Sequence, residues 1–155
     1  MRQNEHFETA VDWAAAGKLL DFTPRRPAFT AGFDLASLAV HVMDHRKRRL
    51  PIGARSLEAH YGGFVITQKR AASATEAKRL ALSTPYGSAA ETVWVAGFEG
   101  RGYALGPEPD PDDIDGRSPA VIVWSDGVMF CLVASDRLDE TVLLRIASSM
   151  YDRVA

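Results

Sequence analysis

The sequence predicts an α+β fold: a curved antiparallel β-meander of about six strands, with an N-terminal and a C-terminal helix packed on it. Three observations carry this expectation. Ala120 to Val133 reads as two apolar strands joined at Asp126-Gly127, a dipeptide suited to a tight hairpin. Gly62-Gly63 separates a second pair of strand-like runs, Ser56 to Tyr61 and Phe64 to Gln68, and is expected to turn through positive φ. From Leu138 onward, Val142, Leu143, Ile146, Ala147 and Met150 form one stripe, while Thr141, Arg145, Ser148 and Asp152 fall opposite. An amphipathic helix of this kind must bury its stripe, and the nearest surface is the strand face before it.

The remaining elements follow in chain order. Asn4 is a candidate helix cap, Phe7, Ala10, Val11 and Ala14 recur at helical spacing, and Gly17 is a stop, so residues 1–18 are expected to be helical. Residues 19–34 form a proline-rich connector, because Pro24 and Pro27 each push the preceding residue to extended geometry. Leu20, Phe22 and Phe29 are expected to pin it to the core. Residues 35–133 make the meander. It opens with Leu35 to Met43 and includes Thr92 to Ala96, a bend at Gly97 and the glycine-broken strand Phe98 to Leu105. Between Ala71 and Ala90 the chain is small and polar, and Thr75 to Leu82 reads as either a short helix or a mobile crossing. Three alternating prolines make Pro107 to Gly116 a loop. The terminal helix spans 139–153, and the whole chain, 1–155, is read as a single domain.

Composition excludes several function classes. The 155 residues are enough to bury a substantial core, and 46% hydrophobic with 25% charged content is that of an ordinary globular domain. A net charge of -2 gives no reason to expect nucleic-acid or membrane-surface binding. No apolar run is long enough to span a membrane, and Met1 to Glu8 lacks the apolar core of a secretory signal. The chain as written is therefore expected to be cytoplasmic, and extracytoplasmic if it is an excised domain. The single Cys131 lies within an apolar strand and is expected to be a buried core residue.

Several groups of residues have side chains of the kind that carry chemistry. His41, His45 and His60 have the residue type for zinc, but no His-Glu-x-x-His pattern accompanies them, so no metal or other cofactor is expected. Asp110, Asp112, Asp113 and Asp115 suggest a calcium loop. Counted from Asp110, however, Ile114, Asp115 and Val121 occupy positions where that loop needs a ligand, a glycine and a bidentate glutamate. Gly62-Gly63 and Gly97, Gly100 and Gly102 do not open a helix as a phosphate loop would. No Gly-x-Ser-x-Gly elbow is present. Trp13, Trp94 and Trp124 read as core or rim aromatics. The expected function is therefore non-enzymatic binding of a protein partner. The basic run Arg46, Lys47, Arg48 and Arg49 and the acidic loop Asp110, Asp112, Asp113 and Asp115 are the candidate contact patches. One alternative is a carrier holding an apolar or lipid-like ligand in the concave face of the sheet, and a weaker one is a histidine-based metal-dependent enzyme.

One resemblance bears on this expectation. Val93-Trp-Val-Ala-Gly97, Val123-Trp124-Ser-Asp-Gly127-Val-Met-Phe-Cys-Leu132, Leu138 and Leu143-Leu-Arg-Ile-Ala-Ser-Ser149 together resemble the uncharacterised domain at the C-terminal end of many bacterial anti-sigma factors. Phe22-Thr-Pro-Arg-Arg-Pro27 is similar to that family's entry. Leu57-Glu-Ala-His-Tyr61 with Phe64-Val-Ile-Thr-Gln68 is similar to its central hairpin. The resemblance implies an extracytoplasmic sensing or interaction domain, related in architecture to half-barrel lipoprotein carriers. This chain departs from the pattern in having no zinc-binding or sigma-binding segment ahead of the matched residues and no transmembrane helix. The family supplies no catalytic residues to carry over.

Overall fold

The computed structural model describes residues 6–42, 55–83, 90–107, 112 and 117–152. Among these residues eight strands form one antiparallel sheet: β1 His6–Ala10, β2 Leu35–Val42, β3 Arg55–Tyr61, β4 Val65–Arg70, β5 Glu91–Val95, β6 Phe98–Tyr103, β7 Ala120–Asp126 and β8 Met129–Ser135. Their spatial order is β1-β2-β3-β4-β8-β7-β6-β5. Two four-stranded meanders are thus joined along β4 and β8, with Gln68 opposite Cys131. The α+β class and antiparallel sheet agree with the sequence, but the sheet has eight strands rather than about six.

The helices are α1 Trp13–Leu19, α2 Ala74–Ser83 and α3 Glu140–Ser149. They do not share one side of the sheet. On the first face, Leu38, Val40, Leu57, Ala59, Ile66, Ile122, Trp124 and Val133 form a core with Ala16 of α1 and Leu143, Ile146 and Ala147 of α3. On the second, Tyr103, Val121, Val123 and Phe130 pack against Ala81 of α2. Successive residues of a strand point to opposite faces, so β7, buried from Ala120 through Trp124, is covered from both sides. That explains its unbroken apolar run, the pattern of a strand sandwiched between layers.

The expected N-terminal helix is corrected: His6–Ala10 is a strand, and the helix starts at Trp13. Asp12 caps it by accepting a hydrogen bond from the Ala15 amide at 2.8 Å, and the helix runs through Gly17. The spacing of Phe7, Ala10 and Ala14 suits a helix, but pairing of β1 with β2, Ala10 opposite Leu38, decides the outcome. Such a partner lies too far along the chain to register in local periodicity. Asn4 lies outside the described residues.

Of the two readings for Thr75 to Leu82, the helix is the one formed. The Ser73 hydroxyl accepts from the Glu76 amide at 3.1 Å, and Ser-x-x-Glu is a capping-box spacing. The terminal helix begins after Asp139, whose carboxylate accepts from the Val142 amide at 3.1 Å. Its stripe is buried as expected at Leu143, Ile146, Ala147 and Met150.

Both hairpins form, with one difference. At the β7–β8 turn Gly127 has φ 58, where glycine is favoured. At the β3–β4 turn neither glycine has positive φ. Gly63 is required there for space instead, since a Cβ would stand 2.5 Å from the Phe33 ring. Phe33 meets Phe64 edge-on at 6.3 Å, and Tyr61 stacks on Phe64 at 4.5 Å.

Candidate functional site

The proline-rich connector crosses the first face of the sheet and creates a groove there. Its path is set by long-range hydrogen bonds that act like rungs of a ladder. The Gln68 side chain, 1% exposed, accepts from the Arg25 amide at 2.9 Å and donates to the Arg25 carbonyl at 2.7 Å. Further along, the Phe29 amide donates to Ser149 Oγ at 3.0 Å, and the Ala28 amide to the Ser149 carbonyl at 3.3 Å. The Arg145 guanidinium lies 3.9 Å above the Phe29 ring. Leu20, Phe22 and Phe29 pack on the core, so the connector is anchored at the three positions its sequence suggests. A buried amide bonded at both ends satisfies the backbone of a segment that belongs to no helix or strand.

Between this connector, the end of β4, the β7–β8 turn and the end of α3 runs a groove of about 610 Å³. Phe22, Val128, Met129 and Met150 contribute apolar surface, and Asp21, Arg25, Arg26, Arg70, Asp126 and Asp152 contribute charge. Arg25 is committed to the fold: Nη2 lies 3.3 Å from Asp126 Oδ2, and the guanidinium stacks 4.4 Å from the Tyr151 ring centre. Tyr151 in turn accepts the Trp124 indole N–H at 2.8 Å. Burial pushes the Tyr151 hydroxyl well above its ordinary range, and the neighbouring Cys131 and Asp126 act in the same direction. It stays protonated and neutral, joining Trp124 of the core to Arg25 of the groove.

Three groove residues are less committed. Arg26 pairs with no carboxylate among the described residues. Arg70 Nη1 donates to the Asp21 backbone carbonyl at 3.5 Å and pairs with no carboxylate among the described residues. Asp21 Oδ1 is buried without a hydrogen-bond partner, an arrangement that ordinarily costs about 1–3 kcal/mol. The groove therefore offers two guanidinium donors beside the apolar surface of Phe22, Val128 and Met129, while the unsatisfied Asp21 Oδ1 is enclosed in its wall.

The groups that ordinarily perform chemistry are committed elsewhere. The Cys131 thiol, 1% exposed, is pushed up to about 12, first by burial and then by Asp126, with Arg25 opposing. Ser135 Oγ donates to the Gly63 carbonyl at 2.6 Å and accepts the Arg137 and Leu138 amides at 3.0 and 2.9 Å. His41 faces Ser56 and His60 faces Ser37 across the β2–β3 ladder. At about 3.3 Å per residue the two imidazoles are roughly 13 Å apart along the strand, too far to share a metal ion. His60 instead lies 3.1 Å from Glu58. No group of three metal-ligating side chains occurs among the described residues, and His45 lies outside them.

Of the residues expected to contact a partner, Arg46, Lys47, Arg48, Arg49, Asp110, Asp113 and Asp115 lie outside the described residues. Asp112 is exposed in a turn. Trp124 is fully buried, whereas Trp94 is 60% exposed at the rim of the sheet. No described helix is long and apolar enough to cross a membrane. Sequence reasoning passed over Arg25, Arg26, Gln68 and Arg70 as site residues. Their one shared signal was Gln68, a polar residue where β4 alternation calls for an apolar one. The chain matches no family model, no curated protein and no solved structure.

Proposed function

We propose that the protein is a non-enzymatic binding module that takes an extended segment of a protein partner into the groove beside residues 20–30. One observation carries this reading: the guanidinium donors of Arg26 and Arg70 line a single groove together with the apolar side chains of Phe22, Val128 and Met129. An extended peptide supplies backbone C=O groups for the donors together with side chains for the apolar surface, which matches that mixture. The rigid connector favours binding, because a groove already held open by Gln68 and Ser149 needs little ordering when occupied. The regulatory, anti-sigma-like character of this partner rests on the sequence resemblance.

A carrier of apolar ligands has less support from the geometry. Its ligand would need room between the sheet and the helices of the first face. Leu38, Val40, Leu57, Ile66, Ile122, Leu143 and Ile146 fill that space, each at most 1% exposed. Selection of a displayed peptide library on the full chain tests the proposal. Enriched peptides should lose binding when Arg26 and Arg70 are replaced by glutamate, with the melting temperature nearly unchanged. Enriched peptides that bind this double variant equally well would refute the groove assignment. A lipid-sized adduct in native mass spectra would favour the carrier.

A further inference from the structure

Among the described residues β5 ends the sheet, and its register points to a second copy of this chain as its neighbour. The Ala96-Gly97 loop joins Val95 to Phe98 directly, with φ 50 and 89 at its two residues. A two-residue hairpin of this kind closes on a hydrogen-bonded pair. Bonded and non-bonded pairs then alternate along an antiparallel ladder. Val93 opposite Gly100 and Glu91 opposite Gly102 therefore bond inward to β6. Thr92 and Trp94 direct their N–H and C=O groups outward, beyond the sheet.

Glu91, at the start of the strand, is the one charged residue on this edge. Glu91 to Val95 contains no proline, no lysine and no bulge, the devices that ordinarily blunt an edge strand. Trp94, the large aromatic on it, is 60% exposed.

We propose that the protein forms a two-fold dimer in which β5 pairs antiparallel with β5 of a second copy, centred on Val93. This register pairs every residue of Glu91–Val95 and sets Thr92 opposite the partner's Trp94, so the outward backbone groups of the two chains meet. A register centred on Trp94 would place Thr92 against the partner's Ala96, which is in the turn, and lose half of those bonds. Side chains on the same face agree with the choice. Arg101 Nη1 donates to Thr92 Oγ1 at 3.4 Å and to Glu99 Oε2 at 3.2 Å, and Glu99 is opposite Trp94 in the β5–β6 ladder. Across the two-fold axis Arg101 and Thr92 meet the partner's Trp94, with the partner's Glu99 behind it. The guanidinium thus gains an aromatic face and a second carboxylate nearby, twice by symmetry. The dimer joins two eight-stranded sheets edge to edge and leaves the connector groove of each copy free.

Sedimentation of the full chain across the micromolar range tests this. The unmodified protein should be a dimer. Thr92→Pro removes an outward N–H without touching the β5–β6 ladder, and it should weaken association roughly tenfold or more while the melting temperature holds. Val93→Cys places two thiols on the axis in a non-hydrogen-bonded pair, about 4.5 Å apart between Cα atoms and within disulfide range. It should give a covalent dimer on mild oxidation, whereas Thr92→Cys, set off diagonally, should not. A chain that stays monomeric, a dimer indifferent to Thr92→Pro, or a dimer that Val93→Cys does not cross-link would each overturn the proposal.

Discussion

At the scale of single residues, Gln68 organises the groove. Its side-chain amide links the middle of β4 to the backbone of Arg25 through two hydrogen bonds. Replacing it with leucine keeps the volume and removes both bonds, leaving an amide and a carbonyl of Arg25 without partners. A loss of about 1–3 kcal/mol is expected. The connector should also loosen, so trypsin should cut after Arg25 in Gln68→Leu under native conditions while the parent chain resists. Equal resistance of the two proteins would mean that the bonds at Ser149 hold the segment unaided. Cys131 gives a second prediction. Its folded thiol is raised from 9.0 to about 12, so the fold favours the neutral form. The resulting stability is complete below pH 9 and is lost as pH rises from 9 toward 12. Alkaline unfolding should therefore begin at lower pH in the parent than in Cys131→Val. Iodoacetamide should modify Cys131 only after denaturation, and rapid labelling of the native protein near pH 8 would contradict this. Tyr151 shifts in the same direction, in part because of Cys131, so the difference between parent and variant includes the part of the Tyr151 shift that Cys131 causes.

At the scale of elements, α3 completes the larger core. Leu143 and Ile146 are both fully buried, each worth about 1.5–3 kcal/mol against a typical total of roughly 5–15 kcal/mol. Truncation before Asp139 should abolish cooperative melting, and Leu143→Ala should cost about 2–5 kcal/mol. A truncated chain that still melts cooperatively near the parent temperature would contradict this placement. The helix was legible because its stripe, its Asp139 cap and its burial all agree locally. β1 was not, since His6–Ala10 carries a spacing that also suits a helix and its fate is decided by β2. The helix α2 lay between. Ser73-Ala-Thr-Glu76 holds a capping-box signal, but Ala77 and Ala81 are too small to announce a buried face. They are small because the helix lies close against β7.

At the scale of the whole molecule, the sheet presents two unlike faces. α1, α3 and the connector cover one, and α2 covers the β6–β8 part of the other. The doubly buried β7 was visible in its apolar run, and so was the antiparallel class. The candidate site was largely illegible, because Arg25, Arg26 and Arg70 are ordinary surface residues until Gln68 and Ser149 fix the connector's path. These bonds span 43 and 120 positions of sequence. The charge runs Arg46 to Arg49 and Asp110 to Asp115 are conspicuous in the local sequence, but local charge carries no information on long-range pairing.

The central claim is that the groove beside residues 20–30 receives a protein segment. Its most direct test is a photo-reactive amino acid at Val128, on the groove wall and 37% exposed, with the same group at the exposed Lys78 of α2 as control. In the native cell, illumination should give a discrete protein adduct from position 128 that is absent from position 78. The adduct should disappear when Arg26 and Arg70 are reversed to glutamate. Adducts that form equally from both positions, or that persist after the reversal, would contradict the claim.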